Sequence, residues 1–142
     1  FPSTILRLFL TYGPGQDLNR FLPHIINSCL NNKEFNTTKG NQLRDFCYVD
    51  DVINAIFLAL KSGKANGQIF NVGSGKPISI KKITNTIHKI IKKGKPQFGK
   101  IPYRKGENMK LYANINKIKK ILKWYPKINL QEGIRRTIES YR

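Results

Sequence analysis

The chain has 142 residues, 39% of them hydrophobic and 24% charged, a composition that suits one packed domain or a part of one and excludes a disordered chain. No run of apolar residues is long enough for a membrane-spanning helix, and no basic-then-apolar leader opens the sequence. Net charge is +18, which admits nucleic acid, an anionic surface or phosphorylated small molecules as partners.

The charge is unevenly placed. Residues 1–60 balance Arg7, Arg20, Lys33, Lys39 and Arg44 against Asp17, Glu34, Asp45, Asp50 and Asp51. Residues 61–142 hold all the excess, with only Glu107, Glu132 and Glu139 opposing it. Many of these lysines fall on the solvent side of an expected helix. The sequence shows neither aromatic platforms nor a reading helix, so nucleic-acid binding is not the expected role. Cys29 and Cys47 make neither a disulfide framework nor a zinc set, and His24 and His88 form no metal pair. Both thiols are expected to be buried and inert in a reducing compartment, the cytoplasm.

Thr4–Phe9 is an apolar, strand-forming run that stops at Tyr12-Gly13-Pro14-Gly15. Its apolarity suits a strand covered on both faces, and Arg7 is its odd residue. Arg20–Asn31 reads as a helix with Phe21, Leu22, Ile25, Ile26, Cys29 and Leu30 on one face. Residues 36–41 are polar and turn-like. Arg44–Val49 alternates as a strand, with Phe46 and Tyr48 opposite Asp45, Cys47 and Val49. Asp50 is the expected cap of the following helix, with Asp51 at its positive end. Val52, Ile53, Ile56, Phe57, Ala59 and Leu60 are expected to bury that helix, and Gly63 to end it.

Gln68–Val72 is a further strand, closed by Gly73-Ser74-Gly75. Ser79 caps a helix with an isoleucine stripe at 80, 83, 87, 90 and 91, and Gly94 stops it. Gln97–Tyr103 is a loop or short strand. Asn116 is expected to cap a short helix over 117–123, broken at Trp124-Tyr125-Pro126. Leu130, Ile134, Ile138 and Tyr141 line a last helix. This order is an α/β pattern.

Several catalytic devices are absent. No G-x-G-x-x-G turn, Walker-type loop or nucleophile elbow occurs, and no tyrosine has a lysine four residues later. Polar groups do gather in Arg7–Gln16, Gly40–Val52, Phe70–Gly75 and Tyr103–Asn108, where an α/β sheet binds ligands. These residues could equally serve local structure, Arg44 by pairing with Asp45 and Arg104 with Glu107.

Four blocks carry a resemblance. Arg7-Leu8-Phe9-Leu10-Thr11-Tyr12-Gly13-Pro14, Arg44-Asp45-Phe46-Cys47-Tyr48-Val49-Asp50-Asp51-Val52, Asn71-Val72-Gly73 and Arg104-Lys105-Gly106-Glu107 are followed by Ile121-Leu122-Lys123-Trp124-Tyr125-Pro126. In order and spacing the chain resembles the C-terminal half of the extended short-chain dehydrogenase/reductases, the NAD(P)-dependent nucleotide-sugar epimerases and dehydratases. The resemblance implies the last strands of a doubly wound, Rossmann-type sheet plus a small substrate-binding lobe. It also implies that 1–142 is the nucleotide-sugar-binding portion of an enzyme of surface-polysaccharide sugar biosynthesis that works through a transient 4-keto sugar. Arg44 and Arg104 would grip the diphosphate, and Glu107 would accept from the ribose hydroxyls. Asn71 would reach a phosphate, and Phe35 would pack near the base.

NAD or NADP would serve the complete enzyme, often a homodimer. The Gly-rich loop and the Tyr-x-x-x-Lys pair belong to an N-terminal half outside this sequence, so no catalytic residue and no dinucleotide binding are expected of these 142 residues. A sheet missing its other half exposes an apolar edge and face, so poor solubility or dependence on a partner is expected. Leu10 replaces the family's asparagine and can neither donate nor accept a hydrogen bond. Asn114 stands where many relatives carry aspartate.

Overall fold

The computed structural model describes residues 2–142. It is a mixed α/β arrangement whose strands pair mostly in parallel, and no helix among the described residues is long and apolar enough to cross a membrane.

The first apolar run is two strands. β1 (Ile5–Leu8) pairs in parallel with β6 (Ile69–Val72), and β2 (Leu10–Tyr12) pairs in parallel with β5 (Phe46–Tyr48). The switch falls at Phe9, whose N–H donates to Val72 O at 2.9 Å, while the N–H of Leu10 donates to Asp45 O at 3.1 Å. Successive N–H groups of a strand point to opposite edges, so one extended segment joins two neighbours, one on each side. The strand formers therefore run on to Tyr12, and the turn begins at Gly13. Coverage on both faces is not met: Ile5 and Leu8 are exposed.

α1 (Phe21–Leu30) and α3 (Ile80–Ile91) carry the expected apolar faces. Together with α5 (Leu130–Glu139) they enclose one core around Tyr12, Phe35, Phe46 and Tyr48. A second core joins Val52, Ala55 and Ala59 of α2 (Val49–Lys61) to Phe70 and Val72, and to Ile118, Leu122 and Trp124 of α4 (Asn116–Leu122) and its exit. The alternation of β5 builds both cores. Phe46 and Tyr48 enter the first, and Cys47 enters the second.

Four more short strands complete the lobe. β3 (Glu34–Asn36) pairs in parallel with β8 (Lys95–Gln97). β4 (Leu43–Arg44) lies between the antiparallel β7 (Ile78–Ser79) and the parallel β9 (Lys110–Leu111). β8 thus lies mostly before the stretch expected at 97–103.

The caps correct several expectations. Ser79 does accept from the N–H of Lys82 at 3.1 Å. Asp50 is not a cap: Tyr48 holds that position of α2, and both aspartates lie in the first turn. Ile115, not Asn116, precedes α4, and Asn114 Oδ1 accepts the Asn116 N–H at 3.0 Å. α3 ends on Lys92 in the left-handed region, two residues before Gly94. The largest correction is α2, where only Val52, Ala55, Ala59 and Asp51 are buried and Ile53, Ile56, Phe57 and Leu60 face outward.

Candidate functional site

Asp45 is the hub beneath the site. Its carboxylate is buried and accepts three backbone N–H groups, from Ser74 at 2.6 Å, Gly75 at 2.9 Å and Ala113 at 3.1 Å. It therefore does not pair with Arg44. Gly73 lets this closure form, because a Cβ there would stand 2.8 Å from Asp45 Oδ2 and 2.7 Å from the Ala113 Cβ. Asp51 plays a similar part, accepting from Lys127 N–H at 2.9 Å and Ile128 N–H at 3.0 Å, while its carbonyl accepts the Trp124 indole N–H at 3.0 Å. The two carboxylates tie both ends of the Arg-Asp-Phe-x-Tyr-Val-Asp-Asp block to the C-terminal segment.

With Asp45 turned inward, Arg44 faces the cleft. Its guanidinium donates to Leu43 O at 2.8 Å, to Asn108 O at 2.7 Å and to Glu107 Oε1. The Arg44 and Glu107 side chains are only 13% and 19% exposed, so the fork is held in one orientation rather than swinging freely. Glu107 follows a turn in which its own N–H donates to Arg104 O at 3.0 Å, which brings Arg104 to the same opening.

Arg44, Arg104 and Glu107 line one cleft of about 510 Å³, shared with Thr11, Gln16 and Arg20. Asn71 lines a neighbouring cleft of about 750 Å³ beside Arg7. The two clefts share Leu10, Thr11, Gln16, Arg20 and Arg44. Phe35 lines neither cleft and is buried in the first core, edge-on to His24 at 6.3 Å between ring centroids. Sequence reasoning passed over Arg20 and reached Gln16 only as the end of the polar Arg7–Gln16 segment. Their only signal is position, a polar loop between the Gly-Pro-Gly turn and α1.

Cations dominate the two openings, with Arg7, Arg20, Arg44 and Arg104 against Glu107 and the fully engaged Asp45. Such a field suits a ligand with more than one negative charge. The described residues hold no group of His, Cys, Asp or Glu that could bind a metal. Cys29 and Cys47 are free and buried, and burial pushes their thiols up to about 11 and about 12. They are neutral packing groups.

Neither glycine turn fits a dinucleotide pyrophosphate. Such a site needs bare N–H groups at a helix N-terminus. The Ser74 and Gly75 N–H groups are taken by Asp45, and Gly13-Pro14-Gly15 lies well ahead of α1.

Residues 1–73 match the family described as "NAD dependent epimerase/dehydratase family". The chain belongs to that family. It is 37% identical to CDP-abequose synthase of Salmonella typhimurium over 136 residues, which are 91% of this chain and 45% of that protein. The fold matches a crystal structure of UDP-glucose 4-epimerase with UDP-glucose from Thermotoga maritima with a TM-score of 0.92 and 31% identity, over 99% of this chain and 46% of the other. It also matches UDP-glucuronic acid 4-epimerase from Bacillus cereus, solved with UDP-glucuronic acid and NAD, with a TM-score of 0.89 and 30% identity, over 98% of this chain and 45% of that one. The chain thus spans less than half the length of each of these relatives. The α/β fold expected from the strand and helix order is the fold of Rossmann-type epimerases.

Proposed function

We propose that this chain is the nucleotide-sugar-binding portion of an NAD dependent epimerase/dehydratase that makes sugars for surface polysaccharides. Arg44 and Arg104 hold the diphosphate, and Arg20 adds a third positive charge at the same opening. The observation that carries the reading is the convergence of Arg44, Arg104 and Glu107 on one cleft of about 510 Å³, within the range of a small-ligand site. A guanidinium fork bonds two phosphate oxygens at once, and Arg44 enters that role already oriented by Glu107 and Asn108. Glu107 Oε1 is engaged with Arg44, which leaves Oε2 to accept from vicinal hydroxyls. Asn71, in the adjoining cleft beside Arg7, reaches a phosphate of such a ligand. Leu10, where the two clefts meet, brings an apolar surface between them.

NAD supplies the hydride acceptor in a complete enzyme of this kind. No step through it is assigned to these residues, because both glycine turns lack its phosphate site. The chain by itself is expected to show no epimerase or dehydratase turnover.

Titration calorimetry with UDP-glucose tests the reading. Arg44→Ala should weaken binding about 10- to 100-fold, from the loss of one or two charge-assisted hydrogen bonds, while Arg44→Lys, which keeps the charge, should lose less. Equal affinity in wild type and Arg44→Ala would remove the assignment. Duplex DNA at two salt concentrations is the control. Binding that exceeds UDP-glucose at low salt and collapses at high salt would assign the basic half to a polyanion instead.

A further inference from the structure

A third cleft lies apart from the two that hold the arginines. It encloses about 280 Å³ between the turn at Ser74–Ile78 and the segment that leads into α5. Hydrogen bonds to buried carboxylates keep it open. Asp45 accepts from the Ser74 N–H and so fixes one wall. Asp51 accepts from the Lys127 and Ile128 N–H groups and so fixes the other. Phe46, next to Asp45 in the chain, lines the cleft from the first core. A ligand therefore meets a site whose backbone is already in place.

The lining is of two kinds. Phe46, Ile78, Ile128 and Leu130 supply apolar surface. Lys76, Lys82 and Lys127 line the same space and are exposed. No carboxylate lines it, and among the described residues none of these three lysines forms an ion pair. α3 and α5 both begin at this cleft, so their positive ends add to the field. Three like charges around an apolar hollow repel one another, and an anion with an apolar body relieves that repulsion while covering the hydrophobic floor.

We propose that this cleft binds a small amphiphilic anion, one aromatic ring bearing a single phosphate, with the ring on Phe46 and the phosphate among Lys76, Lys82 and Lys127. Lysines act as point charges and suit a phosphate, whereas a carboxylate is better matched by a guanidinium fork. Phe46 offers a ring the contact that aromatic pairs favour. The volume falls just below the range of about 300–1,000 Å³ for ordinary ligand sites, so a whole nucleotide sugar does not fit. Phe46 also lines the cleft of about 510 Å³, and Ile78 stands opposite Arg44 in the register of β4 and β7. The two clefts are thus back to back, and a ligand in one leaves the other free.

The inference does not rest on the diphosphate reading. The probe is phenyl phosphate, followed by amide NMR shifts of the 142-residue chain. Phenyl phosphate should move the amides of Lys76, Ile78, Ile128 and Leu130. Inorganic phosphate and benzyl alcohol should each bind there at least about 10-fold more weakly. Lys82→Gln and Lys127→Gln should each weaken phenyl phosphate about 5- to 10-fold, and excess UDP-glucose should leave these shifts in place. Failure of UDP-glucose to bind would count against the diphosphate reading alone. The proposal is overturned by shifts confined to Arg44, Arg104 and Glu107, by inorganic phosphate binding as well as phenyl phosphate, or by lysine variants that bind as the parent does. Phosphatidylglycerol vesicles that bind the chain through Lys82 while phenyl phosphate does not would give the lysines to a lipid surface and overturn it too.

Discussion

Asp45 and Arg44 are adjacent in the chain and do opposite work. The carboxylate is wrapped by three backbone N–H donors, while the guanidinium faces the cleft with its fork fixed by Glu107. Burying an ion without partners is costly, and three N–H groups compensate one carboxylate well. Asp45→Asn should therefore destabilise the chain by about 2–3 kcal/mol, because the amide nitrogen must oppose an N–H donor. Urea denaturation reads this directly, and a loss below a few tenths would show that the hub is not needed. The sequence made Arg44 a candidate for binding but offered no sign of what Asp45 does. Its donors come from residues 29, 30 and 68 positions away, a separation that no local pattern encodes. Gly133 makes the same point. It sits inside α5, where alanine is ordinarily better by about 1 kcal/mol. Here a Cβ would meet the Tyr12 hydroxyl, with Tyr12 Cζ at 2.9 Å and Tyr48 Cδ2 at 3.0 Å. Gly133→Ala should lower stability by about 1–3 kcal/mol, measured as a drop in melting temperature.

Among the elements, the helices were legible because each carries its own repeat. The isoleucine stripe of α3 and the apolar face of α1 are buried as their spacing requires. α2 carries apolar residues on two sides, and its sequence could not say which side is covered. Val52, Ala55 and Ala59 are small enough to approach β5 and β6 closely, so the larger Ile53, Phe57 and Leu60 are left outside. β3, β7 and β9 escaped detection, and β4 and β8 were touched only at Arg44 and Gln97, because each has only two or three residues, too few for a period of two to register. Lys123 closes α4 at φ 54°, a conformation that disfavours a side chain and favours glycine. Lys123→Gly should raise stability by about 1 kcal/mol. No gain in the urea midpoint would show that the lysine makes a compensating contact.

At the scale of the whole molecule, two cores flank one short strand, and each holds a buried thiol. Burial raises Cys29 and Cys47 from an ordinary value of 9.0 to about 11 and about 12, with the nearby Asp51 and Asp45 adding to the rise at Cys47. Their folded-state pKa values lie above the unfolded ones. The stabilisation they give is thus complete below about pH 9 and is lost as pH climbs toward 11 and 12. Each pH unit in that window should remove about 1.4 kcal/mol per thiol. Urea midpoints at pH 8, 9.5 and 10.5 should fall, and Cys47→Ala should flatten the fall. An unchanged profile in that variant would show that Cys47 does not contribute.

The candidate site divides along the same line. The sequence by itself determined the α/β class, the helical faces, and the Arg44, Arg104 and Glu107 blocks whose resemblance carries the family, because these rest on residue type and spacing along one stretch of chain. Only the tertiary structure decided that Glu107 orients Arg44, that Asp45 and Asp51 are internal ties, that Phe35 is a core residue, that Arg20 and Gln16 join the cleft, and that α2 turns its larger side chains outward. Those outcomes depend on which distant segments compete for the same space and the same hydrogen bonds. That competition is resolved only when the whole chain packs.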